Sequence, residues 1–444
     1  KIQFAYDAYG NCSKQEHFGS DGNLAYTIQR TYDAKGNLVE ETNPLDQVAF
    51  YQYDPRGRCI HEIPFSNKLS MDRIFDGKGR LTLIKEADHT TYFAYNAVDD
   101  LIEKTDYLGL KTNYTYHPVH HKPILIESPP TLLKITYDSF GREIQRCDAY
   151  EAKTTTRYNS YSDPIEIVDP DGGTEIYQYE PNGHGPNGLL TLQIDPDGLK
   201  TAFTYDVLGR VLSKTVGSYI TSYSYDAYHL IEEIDPLGIA TCYKYNLAGQ
   251  KTEEKRADRK TKFRYDALGF LAAEERADRC TTYVHDQMGQ LLEKSLDGLL
   301  ATHWTYDSAG LIATISQAGT SSFTYDPYDR LIETVDEEGA KTSITYDERN
   351  QVLIKTIRDP RNIETIETYS AHNLLLKREI PGSLLEEFEY DRVLRLVRQG
   401  PLRFSYSPEE SEPLFGPIRQ AEKAKQKQSQ MELFSPTSII PKAN

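Results

Sequence analysis

Apolar and polar residues alternate along most of this 444-residue chain in short runs that turns interrupt at regular intervals. The segment "TAFTYDVLGRVLSKT" (residues 201–215) shows the unit: an alternating run ending in Tyr-Asp, a turn closed by glycine, and a second run. Alternation with a period of two predicts β-strands, because successive side chains of a strand point to opposite faces. The helical period is missing from these repeats. The pattern therefore predicts a β-hairpin that recurs along the chain.

The tyrosine of each Tyr-Asp pair, called the anchor below, recurs at intervals of 19–23 residues, with two gaps of 26 and a last gap of 16. This spacing fits two short strands and two turns, so the repetition predicts about twenty hairpins. The anchors are Tyr6, Tyr32, Tyr53, Phe75, Tyr95, Tyr116, Tyr137, Tyr158, Tyr179, Tyr205, Tyr225, Tyr245, Tyr265, His285, Tyr306, Tyr325, Tyr346, Tyr369, Tyr390 and, weakly, Tyr406.

The fourth residue after the anchor is one that enters the left-handed region at low cost. Together with Asp at the start of the turn, such a residue predicts a type I turn closed by a left-handed residue. His120 and His229 fit this position less well, and Leu394 does not fit it. The matching residues are Gly10, Gly36, Gly57, Gly79, Gly141, Gly183, Gly209, Gly249, Gly269, Gly289 and Gly310, with Asp99, Asp329, Asn350 and Asn373.

A second aromatic residue often stands two positions before the anchor, and it shares a strand face with the anchor. We expect these rings to stack across neighbouring hairpins as two parallel ladders, each cross-strand pair adding roughly 0.2–1 kcal/mol. Trp304 is then a ladder member and not a ligand platform. The residues are Phe4, Tyr51, Phe93, Tyr114, Tyr177, Phe203, Tyr223, Tyr243, Phe263, Tyr283, Trp304, Phe323, Phe388 and Phe404.

The turn that joins one hairpin to the next is written "DPDG" (169–172, 195–198), "DPLG" (235–238), "DEEG" (336–339) or "DPRN" (359–362), which is type I turn chemistry. The fold class is therefore all-β: a long antiparallel ribbon over residues 1–406. About forty strands at ~4.8 Å spacing would run ~190 Å, and a twisted ribbon must coil. One circuit of that length would be ~60 Å wide, so we expect a curved, hollow shell. Residues 407–444 form a separate tail, either helical (418–434) or disordered.

Composition supports a thin wall. With glycine counted in place of tyrosine, apolar residues make up about 37% of the chain, below the ~45–50% of ordinary domains. The net charge of −17 and the absence of a basic patch in the repeats argue against a nucleic-acid partner. No apolar run approaches the ~20 residues that cross a bilayer. Because the chain begins inside a repeat, we expect a fragment. Five widely spaced cysteines predict free, half-buried thiols: Cys12, Cys59, Cys147, Cys242 and Cys280.

The reiterated "YDxxGR", as in "YDVLGRV" (205–211) and "YDSFGRE" (137–143), resembles the YD repeats of the Rhs family, which the C subunit of insecticidal toxin complexes and teneurins share. The resemblance covers about residues 4–406. It implies a non-enzymatic shell that encloses a polypeptide toxin, either its own C-terminal domain or a partner chain, and works with a delivery apparatus, in a protein that is secreted or at the cell surface. A carbohydrate-binding or adhesive repeat protein is the alternative, since tyrosine-rich faces also bind sugars. No cofactor is expected.

Three smaller motifs have simpler explanations in the repeat itself. "DPDGL" (195–199) matches part of the family's self-cleavage motif, but the upstream "RYYD" is missing, so Asp195 and Asp197 are interpreted as turn residues. "HPVHH" (117–121) clusters three histidines, yet no further ligand completes a metal shell, and a solvated turn is expected. "DPDGGTEIYQYE" (169–180) mimics a calcium loop but has Thr174 where that loop needs glycine.

Overall fold

The computed structural model describes residues 1–180, 188–349 and 351–406. Within these ranges every regular element is a β-strand, and 39 strands form one open sheet in which each strand pairs antiparallel with the next. The all-β ribbon of repeated hairpins is therefore confirmed. The strands, in chain order, begin with β1 (Ile2–Tyr6), β2 (Cys12–Phe18), β3 (Leu24–Tyr32), β4 (Leu38–Thr42), β5 (Val48–Tyr53), β6 (Cys59–Ile63), β7 (Met71–Phe75), β8 (Leu81–Glu86), β9 (His89–Tyr95), β10 (Leu101–Thr105), β11 (Lys111–Tyr116), β12 (Pro123–Ser128) and β13 (Thr131–Tyr137).

The middle of the ribbon continues with β14 (Glu143–Cys147), β15 (Lys153–Tyr158), β16 (Pro164–Val168), β17 (Thr174–Tyr179), β18 (Leu190–Ile194), β19 (Lys200–Tyr205), β20 (Val211–Val216), β21 (Tyr219–Tyr225), β22 (Leu230–Ile234), β23 (Ala240–Tyr245), β24 (Lys251–Arg256), β25 (Arg259–Tyr265) and β26 (Leu271–Arg276). The last third comprises β27 (Arg279–His285), β28 (Leu291–Leu296), β29 (Thr302–Tyr306), β30 (Ile312–Ser316), β31 (Thr320–Tyr325), β32 (Leu331–Val335), β33 (Lys341–Arg349), β34 (Val352–Arg358), β35 (Glu364–Ser370), β36 (Leu375–Ile380), β37 (Leu384–Tyr390), β38 (Leu396–Gln399) and β39 (Leu402–Arg403).

The turn after the anchor, called the YD turn below, has the predicted form. In the hairpin of β19 and β20, the Gly209 amide donates to the Asp206 carbonyl (3.0 Å) and the Asp206 amide donates to the Arg210 carbonyl (2.9 Å). Gly209 has φ +78°, and the register shifts by one residue between Thr204 and Tyr205. This is a type I turn closed by a bulge whose left-handed residue is glycine, so the steric argument from sequence is confirmed.

Several YD turns depart from the sequence pattern. Leu394 takes φ +67° although leucine has no preference for it, and in the "HPVHH" turn the left-handed residue is His121 instead of His120. The turn at His229 is one residue shorter, because the Asp226 amide already donates to the His229 carbonyl. At Leu394, therefore, the pairing of the flanking strands fixes the backbone against the local preference. Gly183 and Asn350 lie outside the described residues.

The turns that join successive hairpins, called linking turns below, include two recurring forms. "DPDG" behaves as predicted: Asp195 Oδ1 accepts the Leu199 amide (2.8 Å) and Gly198 has φ +81°. The second form, which the sequence did not predict, is a two-residue turn with a left-handed alanine, as at Ala87, Ala257 and Ala277 (φ 49–51°). An L-residue with a Cβ is strained there, so these turns hold a conformation that glycine would adopt more readily.

The ribbon coils until its two edges meet. The Ser20 amide, in the turn between β2 and β3, donates to the Ala267 carbonyl (2.8 Å) in the turn between β25 and β26. The same offset of 23 strands brings Ser308 Oγ to the Ser66 carbonyl (2.8 Å) and the Arg392 amide to the Tyr150 hydroxyl (3.3 Å). One complete turn of the coil is called a lap below, and the line of contact between two laps is called the seam. Along the seam, linking turns of the first lap face YD turns of the second lap.

The coil is narrower than the sequence suggested. Twenty-three strands at ~4.8 Å give a contour of ~110 Å and a width of ~35 Å between backbones, so the ribbon completes more than one lap and the ~60 Å width is wrong. Each described strand contacts only its neighbours in sequence, and no strand contacts one across the coil. The predicted coiling is confirmed, and twist per strand sets its radius.

The wall is one sheet thick. No large side chain in the described residues is completely buried, and on β13 buried Leu133 and Ile135 alternate with exposed Lys134 and Thr136. All five cysteines are free, as predicted, but Cys147 is buried and Cys242 is exposed, so half-burial holds for only three of them. The buried hydrophobic residues are Ala49, Leu133, Ile135, Cys147, Ala273, Ile344 and Val393.

Candidate functional site: the hairpin junction and the seam

The aspartate after the anchor caps the YD turn. Asp206 Oδ1 accepts the amides of Leu208 and Arg210 (both 2.9 Å), and Oδ2 accepts Arg210 Nε (2.7 Å). The hydrogen bond from the Arg210 amide, with that from its side chain, lowers the pKa of Asp206. The same Arg–Asp pair recurs in five other YD turns: Asp54–Arg58, Asp76–Arg80, Asp138–Arg142, Asp326–Arg330 and Asp391–Arg395.

The arginine of the YD turn also contacts the following hairpin. Arg210 Nη1 donates to the Asp226 carbonyl (2.9 Å), and its guanidinium lies 4.5 Å from the centre of the Tyr225 ring. Arg142 makes the equivalent contact with Tyr158, at 4.9 Å. A cation over an aromatic ring is worth ~0.5–1 kcal/mol at exposed sites. Each such arginine therefore fastens two consecutive hairpins at one edge of the wall.

The anchor hydroxyl fastens the same junction from the other side. Tyr205 Oη donates to the Leu190 carbonyl (2.7 Å), and Leu190 stands opposite the previous anchor at the bulge. Burial raises the pKa of Tyr205, which keeps the phenol protonated as a donor. The same bond to the residue opposite the previous anchor is made by Tyr32, Tyr95, Tyr137, Tyr158, Tyr245, Tyr265, Tyr306, Tyr325, Tyr346, Tyr390 and Tyr406.

Other anchors make different contacts. Tyr225 carries the Arg210 guanidinium on its ring, and Tyr369 Oη donates to Glu367 Oε2 (2.8 Å). Every predicted turn glycine in the described ranges has positive φ, and several are also crowded by the preceding hairpin. A Cβ on Gly269 would lie 3.0 Å from Gln250 Nε2. The turn glycines with positive φ include Gly36, Gly57, Gly141, Gly209, Gly249, Gly269 and Gly310.

The predicted ring-on-ring ladders across hairpins are wrong. Rings two residues apart do share a face, as Phe203 and Tyr205 do at 6.4 Å. Consecutive anchors, however, are two strands apart, about 9–10 Å, which exceeds the 4.5–7 Å of an aromatic pair. A guanidinium fills that interval, as Arg210 does before Tyr225. Trp304 lies opposite Ile315 on the anchor face of its strand.

A lysine holds the middle of the seam. Lys68 Nζ, in the linking turn before β7, lies 2.7 Å from Asp307 Oδ2 and 3.0 Å from Asp329 Oδ1, carboxylates of two YD turns in the second lap. The lysine side chain is only 18% exposed, and its hydrogen bonds to Asp307 and Asp329 outweigh burial and raise its pKa. Lys68 therefore remains charged and joins the two laps.

A histidine occupies the next position along the seam. His89 Nε2 lies 2.5 Å from Glu348 Oε2, and its ring stacks between Tyr107 (4.0 Å) and Tyr328 (3.8 Å). Arg330 also pairs with Glu348. Sequence reasoning missed these residues because the partners are about 240–260 positions apart, and no local pattern marks a lysine or histidine as a seam residue. The arginine clamp does have a local signal, an arginine five residues after the anchor in six of the YD turns.

The smaller motifs are turns. His121 Nδ1 lies 3.1 Å from Asp100 Oδ2 and the His117 ring stacks on His120 at 4.6 Å. The Gly173 amide donates to Asp171 Oδ1 (3.0 Å) within the calcium-like segment. Among the described residues, no three His, Cys, Asp or Glu side chains are placed to hold a metal ion. No helix long and apolar enough to cross a membrane occurs in the described ranges.

Comparison with known families supports the resemblance found in the sequence. Residues 198–379 match the Teneurin YD-shell family, and residues 32–63 match the RHS Repeat family. The chain is 28% identical over 200 residues, 45% of its length, to the tRNA3(Ser)-specific nuclease WapA of Bacillus spizizenii. It is 26% identical over 135 residues to the double-stranded DNA deaminase toxin A of Burkholderia cenocepacia, which covers 26% of the chain. The recognition of RHS and YD repeats is thus confirmed.

Solved structures share the fold. The TcdB2-TccC3-TEV structure superposes with a TM-score of 0.65 at 13% identity over 89% of this chain, and the Photorhabdus luminescens Tc holotoxin pore with a TM-score of 0.60 at 13% identity over 92%. These matches span 27% and 26% of those chains, and the matches to the two curated relatives span 8% and 9% of their lengths. This chain therefore corresponds to a small part of each relative.

Proposed function

We propose that residues 1–406 are a wall segment of a shell that encloses a polypeptide cargo, as part of a polymorphic toxin delivered to competing or host cells. The observation that carries this proposal is the seam. A ribbon that meets itself after 23 strands, with none of the described strands crossing the middle, surrounds a space ~35 Å wide between backbones.

The wall performs its role by exclusion, and we propose that it has no enzymatic activity. A chain held in a confined space is kept from its targets and from solvent by the wall alone. The Arg210-type clamps and the anchor hydroxyls make each junction multivalent, so opening a gap between hairpins breaks several bonds together. The two curated relatives, a nuclease and a deaminase toxin by name, support a toxic cargo.

The alternative, a secreted carbohydrate-binding or adhesive wall, needs ring faces that are open to a sugar. Guanidinium groups lie over the rings of Tyr95, Tyr158, Tyr225 and Tyr346, at 4.5–5.0 Å from their centres. One face of each of these anchors is therefore occupied, which favours the enclosing function over sugar binding.

The test is protease protection of whatever polypeptide the shell carries in the intact protein. In the wild type, we expect the cargo segment to resist digestion that removes exposed segments. Lys68→Ala, which opens the seam, should expose it, whereas Lys35→Ala at an exposed YD turn should not. Cargo that is digested equally in the wild type and in Lys68→Ala would contradict enclosure. Binding to a glycan array that is lost when exposed aromatic residues are replaced would favour adhesion.

A further inference from the structure

His89 begins β9, directly after a linking turn of the first lap, and its side chain reaches across the seam. The imidazole ring lies between the Tyr107 ring of the next linking turn, at 4.0 Å, and the Tyr328 ring of a second-lap YD turn, at 3.8 Å. Only 16% of the side chain is exposed. Protonation of this ring therefore places a positive charge between two aromatic faces, inside the contact between the laps.

The acceptor for this charge is a carboxylate of the second lap. His89 Nε2 lies 2.5 Å from Glu348 Oε2, and the other oxygen of Glu348 pairs with Arg330, whose second partner is Asp326 (2.7 Å). With a neutral imidazole, the two carboxylates and the guanidinium leave one negative charge without a counter-charge. A protonated imidazole balances it, and a hydrogen bond between two charged groups is stronger than one from a neutral donor.

The other charged side chains on the elements that pack against His89 have an acidic balance. Glu86 stands opposite His89 in the register of β8 and β9, and Lys85 points to the other face of β8. This surrounding favours the charged ring, whereas partial burial opposes it. The groups concerned are Glu86, Asp88 and Asp106 on the first lap, and Asp326, Asp329 (paired with Lys68), Arg330 and Glu348 on the second.

We propose that His89 makes the closure of the seam pH-sensitive: a protonated imidazole strengthens the contact between the laps, and deprotonation weakens it. Closing the seam brings the ring to Glu348, so the closed form holds the proton more tightly than the open form. Linkage then favours closure as the pH falls. Imidazoles change charge between about pH 5 and 8, and carboxylates lose theirs near pH 4, so the effect belongs to the range between.

This inference rests on the contacts across the seam and does not depend on what the shell encloses. If the shell does enclose a cargo, its wall is held together more firmly in a mildly acidic compartment than in a neutral one. Failure of cargo protection with the pH effect intact would reject the enclosure and leave the role of His89 standing.

His372 offers a matched control at the same seam. Its Nε2 lies 2.9 Å from the carbonyl oxygen of Pro129, in a linking turn of the first lap. A carbonyl accepts a hydrogen bond from the neutral ring as well as from the protonated one, so this contact depends little on charge. His372→Gln therefore changes a histidine of the seam without removing an ion pair.

The test is amide hydrogen exchange of the intact chain between about pH 5.5 and about pH 8, with each rate divided by the intrinsic rate at that pH. The Asp88 amide reports on the seam beside His89, because it lies 3.3 Å from Tyr328 Oη. The Gly209 amide, bonded within an uncovered YD turn, is the reference away from the seam.

In the wild type, we expect protection at Asp88 to rise about tenfold from pH 8 to pH 5.5 relative to Gly209. His89→Gln and Glu348→Gln should abolish this rise, and His372→Gln should retain it. Protection at Asp88 that is independent of pH, a rise of equal size at Gly209, or a rise that survives in His89→Gln would overturn the proposal. The wild-type comparison of Asp88 with Gly209 remains decisive if a variant fails to fold.

Discussion

Val393 and Val119 occupy the same position, the tip of a YD turn, in two laps of one ribbon. Val393 is 8% exposed and Val119 is 73% exposed. The two hairpins have the same bulge beside the anchor, at Tyr390 and at Tyr116. The repeat therefore specifies the hairpin, and the coil decides which copies are covered. Identical local sequence features carry different energies according to the lap on which they fall.

The sharpest way to break this comparison is to place the same charge at both tips. Val393→Asp should destabilise the second lap by about 3 kcal/mol, because a carboxylate would be buried without a partner. Val119→Asp should change the free energy of unfolding by less than about 0.5 kcal/mol, as exposed substitutions do. Denaturant unfolding of both variants measures the difference. Equal effects would mean that the seam does not bury the second-lap tips.

Removing a lysine from each region gives the next largest contrast. Lys68→Met should weaken the seam by about 2 kcal/mol, since two partly buried hydrogen bonds to carboxylates are lost. Lys35→Met loses one exposed bond to the Pro55 carbonyl and should cost at most ~0.5 kcal/mol. Hydrogen exchange at residues 307–310 is the direct measurement. Unchanged protection there in Lys68→Met would show that this lysine does not hold the laps together.

In the linking turns, the same substitution should change the free energy of unfolding equally at the seam and away from it. Ala87 lies at the seam and Ala257 in an uncovered turn, yet both have φ near +50°. Replacing either alanine with glycine should raise the free energy of unfolding by about 0.5–1 kcal/mol, because glycine adopts this conformation without strain. Gly217→Ala, in a related turn with φ +59°, should have the opposite sign. A gain at only one of the two alanines would show that the seam contributes to turn strain.

The turn caps give the smallest effect, and they test whether a YD turn behaves independently of the seam. Hydrogen bonds from the Arg80 amide, and then from its side chain, lower the pKa of Asp76 to about 2. A depressed pKa means that this cap stabilises the fold above the ordinary value near 3.8 and loses its contribution as the pH falls through about 2. Arg80→Gln should move the NMR titration of Asp76 upward. The titration should stay unchanged in Lys68→Met, and a shift there would show that cap and seam are coupled.

Much of the wall was accessible from sequence because its rules are local. The glycine at position 209 and the aspartate at 206 specify their turn whatever surrounds them, and period-two alternation specifies the strands. The seam was not accessible: Lys68 and Asp307 are 239 residues apart, and their meeting depends on twist accumulated over 23 strands. Leu394 marks the same limit, since its φ of +67° comes from strand pairing and not from leucine.

The offset of 23 strands between facing turns also determines how such a container can enlarge. Twist per strand fixes the diameter of the coil, so a longer run of the same repeats increases its height and leaves its internal width unchanged. Each further lap of about 240 residues adds roughly one strand length, ~20 Å, to the height. Duplication of gene segments would therefore increase the enclosed volume in steps, without redesign of any single repeat.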